Sequence, residues 1–264
     1  MSPAGTDRPA SLLLSAVRLV APYFLGALLV LAVWFWTSLS VPPMIFPTPA
    51  MVGEAAVRIV AEGTLPYHIA VSLGRILAGF AIGCLLGIPL GLLMGSYEPV
   101  RYALEPYTEF FRFIPGIAMS VLAIVWFGVG ETSKVFLTFF STVFTVIINA
   151  DAAVRGVERN RLRAALSLGA TSSQVFFHVV LPSCMPMILT GMRIGMGFAF
   201  ATIISAELLA AEAGIGFMIS SARLFMQTDR MFVAIVTLGL LGFVIDLLFR
   251  ALTRRFAGAY ARPE

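Results

Sequence analysis

The chain contains several apolar runs of about twenty residues, the length that an α-helix needs to cross a bilayer's hydrocarbon core. Only 12% of its residues are charged and 59% are hydrophobic, whereas a soluble domain carries about 25% charged residues. We therefore expect an all-α integral membrane protein with no nucleic-acid partner. The six predicted transmembrane helices cover approximately residues 19–39, 67–94, 101–127, 134–154, 185–209 and 231–252.

Basic residues in the loops predict the orientation of these spans. Six spans place both termini on one side, and cytoplasmic loops of membrane proteins are enriched in Lys and Arg. Both tails, residues 1–18 and 253–264, are therefore predicted to be cytosolic and to flank a membrane domain over 19–252. With this orientation the inner loops hold Arg8, Arg18, Arg101, Arg155, Arg159, Arg161, Arg163, Arg250, Arg254, Arg255 and Arg262, and the outer loops hold only Arg58, Lys134, Arg223 and Arg230.

The second span carries a glycine at every fourth position, which places all of these glycines on one face of a helix. Such a ridge of small residues allows another helix to approach closely. The ridge consists of Gly79, Gly83, Gly87, Gly91 and Gly95.

The stretch 155–182, between the fourth and fifth spans, is too polar for a bilayer and predicts two short helices. The first is expected to stop at Gly169, the residue type best suited to a left-handed C-cap. Thr171 can cap the second helix, with Gln174 as its capping-box partner. That helix should end near Leu181, because Pro182 disfavours a helical conformation in the preceding residue. A short helical hairpin on the cytosolic face of the membrane is typical of a segment on which another protein docks.

The hairpin resembles the EAA loop of ABC-importer permeases, with Ala164 and Ala165, a glycine four residues later, and a closing Leu181-Pro182. The segments FPTPAMV, SLGRILAGFAIGCLLGIPLGLLMG, WFGVGETSKVF and LTGMRIGMGFAFATIISAELLA also read like this family, so the resemblance runs from about residue 46 to 255. It is closest to the branch that imports sulfonates, taurine, nitrate, bicarbonate and related small anions. The resemblance implies the type I ABC importer permease fold.

The resemblance also implies partners and a coupling surface. In this family the hairpin docks on a separate ATPase, so ATP and Mg would bind the partner and no cofactor would bind this chain. A second permease copy forming a homodimer, two ATP-binding cassette subunits, an external substrate-binding protein and the lipids of the bacterial inner membrane are the implied surroundings. Arg163 stands where the family has Glu, which leaves the pairing with the ATPase open. The implied coupling residues are Arg163, Ala164, Ala165, Gly169, Ala170, Thr171, Phe176, Leu181 and Pro182.

An ATP site of the P-loop type is excluded by the sequence itself. That motif needs Gly-Lys-Ser/Thr, and the only lysine of the chain, Lys134, follows Ser133. The chain also lacks clustered His or Cys residues and the H-E-x-x-H and G-x-S-x-G motifs. We therefore expect a transporter subunit without catalytic or metal-binding residues of its own.

Charged residues inside the spans are the candidates for contact with a solute, because an ionisable group in hydrocarbon normally faces protein or water. Glu109 and Arg112 are spaced to pair along one helix, and Arg75 is expected to pair with Glu207. For Arg193 the expected partners are Glu105, Glu109 and Asp151.

Two interpretations of these charges remain open, an ion-pair network that holds the helices together and direct contact with the solute. An anionic solute would have only Arg75, Arg112 and Arg193 as intramembrane cations. Two other classes of function also remain open: a secondary transporter or channel that uses Glu109, Arg112, Arg193 and Glu207 as a relay, and a scaffold without transport. The predicted lining of the path is Arg112, Phe113, Trp126, Asn149, Arg193 and Glu207.

Overall fold

The computed structural model describes residues 8–257, apart from the side chains of residues 8–20, 23–24 and 254–257. Within this range the structure is helical, and the prediction of an all-α protein is confirmed. The ends of the two predicted tails, residues 1–7 and 258–264, lie outside the described residues. The helices are α1 Arg8–Ser40, α2 Pro49–Ala61, α3 Thr64–Ser96, α4 Glu98–Arg112, α5 Gly116–Phe127, α6 Glu131–Arg155, α7 Arg159–Ser167, α8 Ser172–Val175, α9 Leu181–Ala210, α10 Ile215–Leu224 and α11 Thr228–Ala257.

Four of these helices are long and apolar enough to cross a membrane, namely α3, α6, the continuous segment Ser172–Ala210, and Thr228–Thr253 within α11. The pair α4 and α5 passes the same test only if it is counted as one bent span. The described apolar part of α1, Leu25–Ser40, is shorter. The number of six spans and the cytosolic position of both termini therefore remain predictions.

The predicted glycine ridge of α3 is confirmed, and it packs directly against α6. A β-carbon added to Gly83 would lie 2.8 Å from Thr142 Cβ, and one added to Gly91 would lie 2.5 Å from the Ile147 carbonyl oxygen. Contacts this short leave no room for a side chain at these positions. Helices α3 and α6 therefore pack more closely than two helices with larger residues at their contact. Helices α3, α6 and α9 then share one buried core, which includes Cys84, Val146, Met196 and Ile203.

The predicted third span over 101–127 is not one continuous helix, and whether its two halves together cross the membrane remains a prediction. Helices α4 and α5 meet at an angle of 100°. Helix α4 ends at Arg112, and the backbone is extended at Pro115, which has a ψ of 138°; proline lacks an amide donor and disfavours a helical conformation in the residue before it. Pro106, by contrast, is accommodated inside α4. Helix α4 buries only Thr108, so it lies on the outside of the bundle.

The hairpin forms as predicted up to its second helix. Helix α7 is followed by Gly169 with φ +82°, and Thr171 and Gln174 form both halves of the capping box. The predicted end near Leu181 is wrong, because a π-helical turn, Phe176–Val180, joins α8 to α9 without a break. The Leu181 amide donates to the carbonyl of Phe176, five residues back. Pro182 therefore lies inside the continuous segment Ser172–Ala210, where the π turn directly before it accommodates a residue that has no amide hydrogen to donate.

Candidate functional site

A cavity of about 420 Å³ lies where the break between α4 and α5 faces α6 and α9. It is large enough for a small solute, since ligand pockets usually measure about 300–1,000 Å³. Its aromatic wall comes from α4 and the turn after it, from α6 and from α9, and its polar side chains come from the end of α4 and the facing sides of α6 and α9. The aromatic lining residues are Phe111, Phe113, Phe140, Phe144 and Phe198, and the polar ones are Arg112, Ser141, Thr145, Asn149 and Thr202.

Three polar residues of α6 form one edge of the cavity, because Ser141, Thr145 and Asn149 recur at every fourth position. Each of them donates to a backbone carbonyl of its own helix, and the Asn149 amide does so to the Thr145 carbonyl at 2.8 Å. Asn149 is also held in place by Gly191 of α9, where an added β-carbon would overlap the Asn149 side chain. The second amide hydrogen and the oxygen atoms of these residues remain available to a solute.

Arg112 is the only positively charged residue in the described lining of this cavity. Its Nη2 lies 2.7 Å from Glu109 Oε2, and the guanidinium stands 4.6 Å above the centre of the Phe113 ring. The Arg112 side chain is 40% exposed. Because a guanidinium has five N–H donors, a single ion pair leaves donors for a further acceptor.

The start of α5 adds a second positive element to the same cavity. Gly116 lies so close to Thr202 of α9 that an added β-carbon would be 2.6 Å from the Thr202 hydroxyl. The first amides of a helix have no intrahelical acceptor, and the helix dipole is positive at this end. The N-terminus of α5 and Arg112 therefore both favour a negative group in the cavity.

A second charged cluster, around Arg75, lies away from this cavity, and its charged groups pair mainly with one another. Arg75 pairs with Glu207, as expected, at 2.7 Å. The same guanidinium donates to both carboxylate oxygens of Glu131 at 2.5 and 2.6 Å and to the Ala213 carbonyl at 2.7 Å. Arg75 is buried. These contacts use four of the five N–H donors of the buried guanidinium, and Arg75 does not line the cavity described above.

Glu207 is buried and serves as an anchor for the segment before α10. Its carboxylate accepts from the Ser72 hydroxyl at 2.9 Å and from the Gly216 amide at 2.9 Å. A β-carbon on Gly214 would overlap the Glu207 carboxylate. Glu207 therefore joins α3, α9 and α10, and it does not line the cavity.

Arg193 does not pair with any of the partners expected from the sequence. Its guanidinium donates to both carboxylate oxygens of Asp246 in α11, and Asp246 also pairs with Arg250 at 2.8 Å. Asp151, one of the expected partners, pairs with Arg155 at 2.6 Å. The expectation for Arg193 was wrong because the contact between α9 and α11 brings a closer carboxylate from the last span.

Trp126 likewise lies away from the cavity, at the opposite end of α5, where it packs against Phe127 and Phe136. Of the predicted lining residues, the structure brings Arg112, Phe113 and Asn149 together and places Trp126, Arg193 and Glu207 elsewhere. Ser141 was missed. Its spacing of four residues from Thr145 was the signal that could have identified it.

The charges proposed as an ion relay are not connected to one another in the described residues. Glu109 pairs with Arg112 on α4, whereas Arg193 and Glu207 pair with residues outside that set. No ion pair among the described residues joins either of them to Glu109. The arrangement therefore does not favour a secondary transporter or channel that uses this relay.

The hairpin presents one exposed face and one packed face. Helix α7 buries none of its residues, and Leu168 in the turn is 89% exposed. On the packed face, four of the predicted coupling residues contact the core formed by the ends of α3, α6 and α9. Four others lie on the exposed face, and Pro182 is partly buried. The packed residues are Ala165, Ala170, Phe176 and Leu181, and the exposed ones are Arg163, Ala164, Gly169 and Thr171.

A family model described as "Binding-protein-dependent transport system inner membrane component" matches residues 87–258. The chain belongs to this family. This ABC permease is 40% identical to the taurine transport system permease protein TauC of Escherichia coli (strain K12), over 88% of this chain and 87% of that protein. It is 37% identical to the putative aliphatic sulfonates transport permease protein SsuC of the same strain, over 93% and 95% of the two chains.

The fold is shared with a solved ABC transporter. An inward-facing structure of the MetNI methionine ABC transporter matches with a TM-score of 0.65 over 72% of this chain and 94% of that chain, at 17% sequence identity. At this identity the likeness shows the fold alone. The predicted type I ABC importer permease fold is confirmed, and the chain is a component of a membrane transporter.

Proposed function

We propose that this chain is the transmembrane subunit of an ATP-driven importer for a small anion, a sulfonate or taurine or otherwise nitrate, bicarbonate or a small organic acid. The observation that carries the proposal is Arg112, which lies in the cavity with donors to spare, beside the N-terminus of α5. Of the three intramembrane cations, Arg75 and Arg193 are engaged by carboxylates away from the cavity.

A sulfonate group suits this site. Its three oxygens accept hydrogen bonds in several directions, and a guanidinium is well matched to such an oxyanion. The two relatives described above transport, by their names, taurine and aliphatic sulfonates, and both kinds of solute carry this group. The ring of Phe113 and the facing phenylalanines would contact the carbon part of the solute.

The cavity supports a homodimer with the translocation path at its interface. It is open on one side, and there Arg112 and the polar edge of α6 would face hydrocarbon in a single chain. A charged group in the bilayer centre costs about 2.5–3.5 kcal/mol on insertion scales. A second copy that covers this side would remove that cost and enclose the solute.

The hairpin would couple this path to ATP hydrolysis. In our proposal each of two ATPase subunits, which carry ATP and Mg, docks on the exposed face of one hairpin, and a substrate-binding protein delivers the solute from outside. The π turn makes α8 continuous with α9, and α9 contributes Thr202 to the cavity. Closure of the ATPase pair would therefore move the cavity wall directly, and the left-handed Gly169 would act as the pivot.

The proposal is tested by reconstituting the complex with its ATPase and binding protein in liposomes and measuring uptake of labelled taurine. Arg112→Gln should lower the apparent affinity about tenfold or more, since a hydrogen bond to a charged group contributes about 1.5–3 kcal/mol. Arg223→Gln, which removes an exposed arginine of α10, should leave it unchanged. Equal uptake by both variants would refute the role of Arg112. Uptake without the ATPase, driven by a proton gradient, would refute the importer itself.

A further inference from the structure

A second, larger cavity lies beside the hairpin, between the junction of α3 and α4, the end of α6, and α7 to α9. Its volume is about 1,170 Å³, above the range of about 300–1,000 Å³ that is usual for small-molecule pockets. It is separate from the candidate translocation cavity and shares no lining residue with it. Phe176 and Leu181 of the predicted coupling set belong to its lining, but the translocation path proposed above does not use it.

One wall of this hairpin-side cavity continues the outer apolar surface of α3. Leu86, Leu90 and Leu93 are exposed and follow one another at helical spacing along α3. Leu93 also lines the cavity. On the opposite side the π turn places Phe177, which is also exposed, at the cavity. An apolar chain lying against α3 in the bilayer can therefore enter the cavity without leaving an apolar surface.

The mouth of the cavity is basic. Arg101, Arg155 and Arg159 come from three different helices or their ends, and Glu98 is the only acidic residue in the described lining. Arg159 makes no ion pair among the described residues. Asp151 pairs with Arg155 at 2.6 Å and Glu105 lies 3.7 Å from Arg101, so the unpaired positive charge among the described residues at the mouth is that of Arg159.

Arg101 has donor capacity that its own surroundings do not use. Its Nε is buried without a hydrogen-bond partner, and the nearest carboxylate oxygen of Glu105 is 3.7 Å away, too far for a hydrogen bond. A buried donor without an acceptor is costly. Nε itself is not accessible from outside, but the Arg101 side chain is 23% exposed and makes no hydrogen bond among the described residues, so its terminal nitrogens can donate to an acceptor at the mouth.

We propose that this cavity binds one anionic phospholipid per chain. The phosphate diester would accept from Arg101 and Arg159, and an acyl chain would lie along Leu93 and Phe177. A lipid fits better than a soluble anion because the basic mouth and the outer apolar surface of α3 belong to one continuous groove. Basic pockets between membrane helices on the cytoplasmic side are typical sites for anionic headgroups.

The test is native mass spectrometry of the full chain, delipidated in mild detergent and titrated with palmitoyl-oleoyl phosphatidylglycerol or with the matching phosphatidylcholine. We expect a single tightly bound phosphatidylglycerol per chain and no comparable site for phosphatidylcholine. Arg101→Gln and Arg159→Gln should each weaken binding about fivefold, as expected for the loss of one cation near an anionic headgroup. Arg159 is exposed and has no ion-pair partner in the part of the chain that the structure describes, so at least this variant should fold normally.

The matched control is Arg163→Gln, which removes the same charge from the same hairpin but does not line the cavity. It should retain the lipid. Equal weakening by Arg163→Gln would overturn the proposal in favour of diffuse attraction to a basic surface, and equal binding of phosphatidylcholine would overturn it as well. Displacement by inorganic phosphate at similar concentration would show that the acyl groove contributes nothing. Release of the lipid on assembly with the ATPase would show that the groove belongs to the protein interface.

Discussion

Glu207→Gln tests whether the cluster around Arg75 stabilises the bundle. The glutamine is close to the size of the glutamate, so the change removes charge without leaving a cavity. In the wild type the carboxylate accepts hydrogen bonds from Ser72, Arg75 and Gly216. The glutamine amide would direct its own N–H toward one of these three donor groups, which it cannot bond. The buried Arg75 guanidinium would then keep a single carboxylate partner, that of Glu131.

The expected loss follows from these contacts. Removing one partner of a buried ion pair costs about 3–5 kcal/mol, and the lower end applies because Arg75 keeps its bidentate contact with Glu131. We expect a free energy of unfolding lower by about 3 kcal/mol. For a chain of this size this corresponds to a melting temperature lower by about 6–12 °C.

The assay is thermal unfolding of the purified chain in mild detergent, followed by intrinsic tryptophan fluorescence. The matched control is Asp229→Asn, which removes a carboxylate from the exposed pair with Arg58 at 3.3 Å and should cost less than about 1 kcal/mol. If Glu207→Gln and Asp229→Asn shift the melting temperature equally, the buried cluster stabilises the fold no more than an exposed ion pair does.

Two further substitutions test the helix contact and the hairpin. Gly91→Ala should lower the free energy of unfolding by about 1–3 kcal/mol, because the new β-carbon would lie 2.5 Å from the Ile147 carbonyl oxygen. The control is Gly74→Ala on the open face of α3, which should melt at or above the wild-type temperature. Equal melting temperatures of the two variants would contradict close packing of α3 on α6. Gly169→Pro cannot adopt the φ of +82°, so it should abolish co-purification with the ATPase without affecting membrane insertion, and normal co-purification would contradict the coupling role.

Features that depend on residues close together in the sequence were predicted correctly. The capping box at Thr171, the left-handed Gly169 and the glycine ridge of α3 each follow from local spacing, and all three are present. A local pattern determines them because the groups involved lie within one or two helical turns.

The errors come from proline and from pairing between distant helices. Pro115 and Pro182 each predict the end of a helix. Pro115 does lie at a bend of 100° between two helices. Pro182 lies inside a continuous helix, because the π turn before it shifts the register of the backbone hydrogen bonds. Arg193 pairs with Asp246, which is 53 residues away in the sequence. Such a choice is made by the tertiary contact between α9 and α11, which the sequence pattern does not contain. For the same reason only half of the predicted path residues meet in the cavity.

The contact between α3 and α6 has a consequence for how the bundle can move. At five successive levels the backbone of α3 lies directly against backbone atoms and short side chains of α6, and α3 itself contributes no side chain to the contact. Helices separated by side chains can slide by changing rotamers, but here a small rotation of either helix about its axis would bring a neighbouring, larger residue of α3 into the gap. The two helices must therefore move together as one rigid body. Any rearrangement that carries the polar edge of α6 also carries α3, and the sliding surfaces of this protein lie elsewhere, where side chains meet side chains.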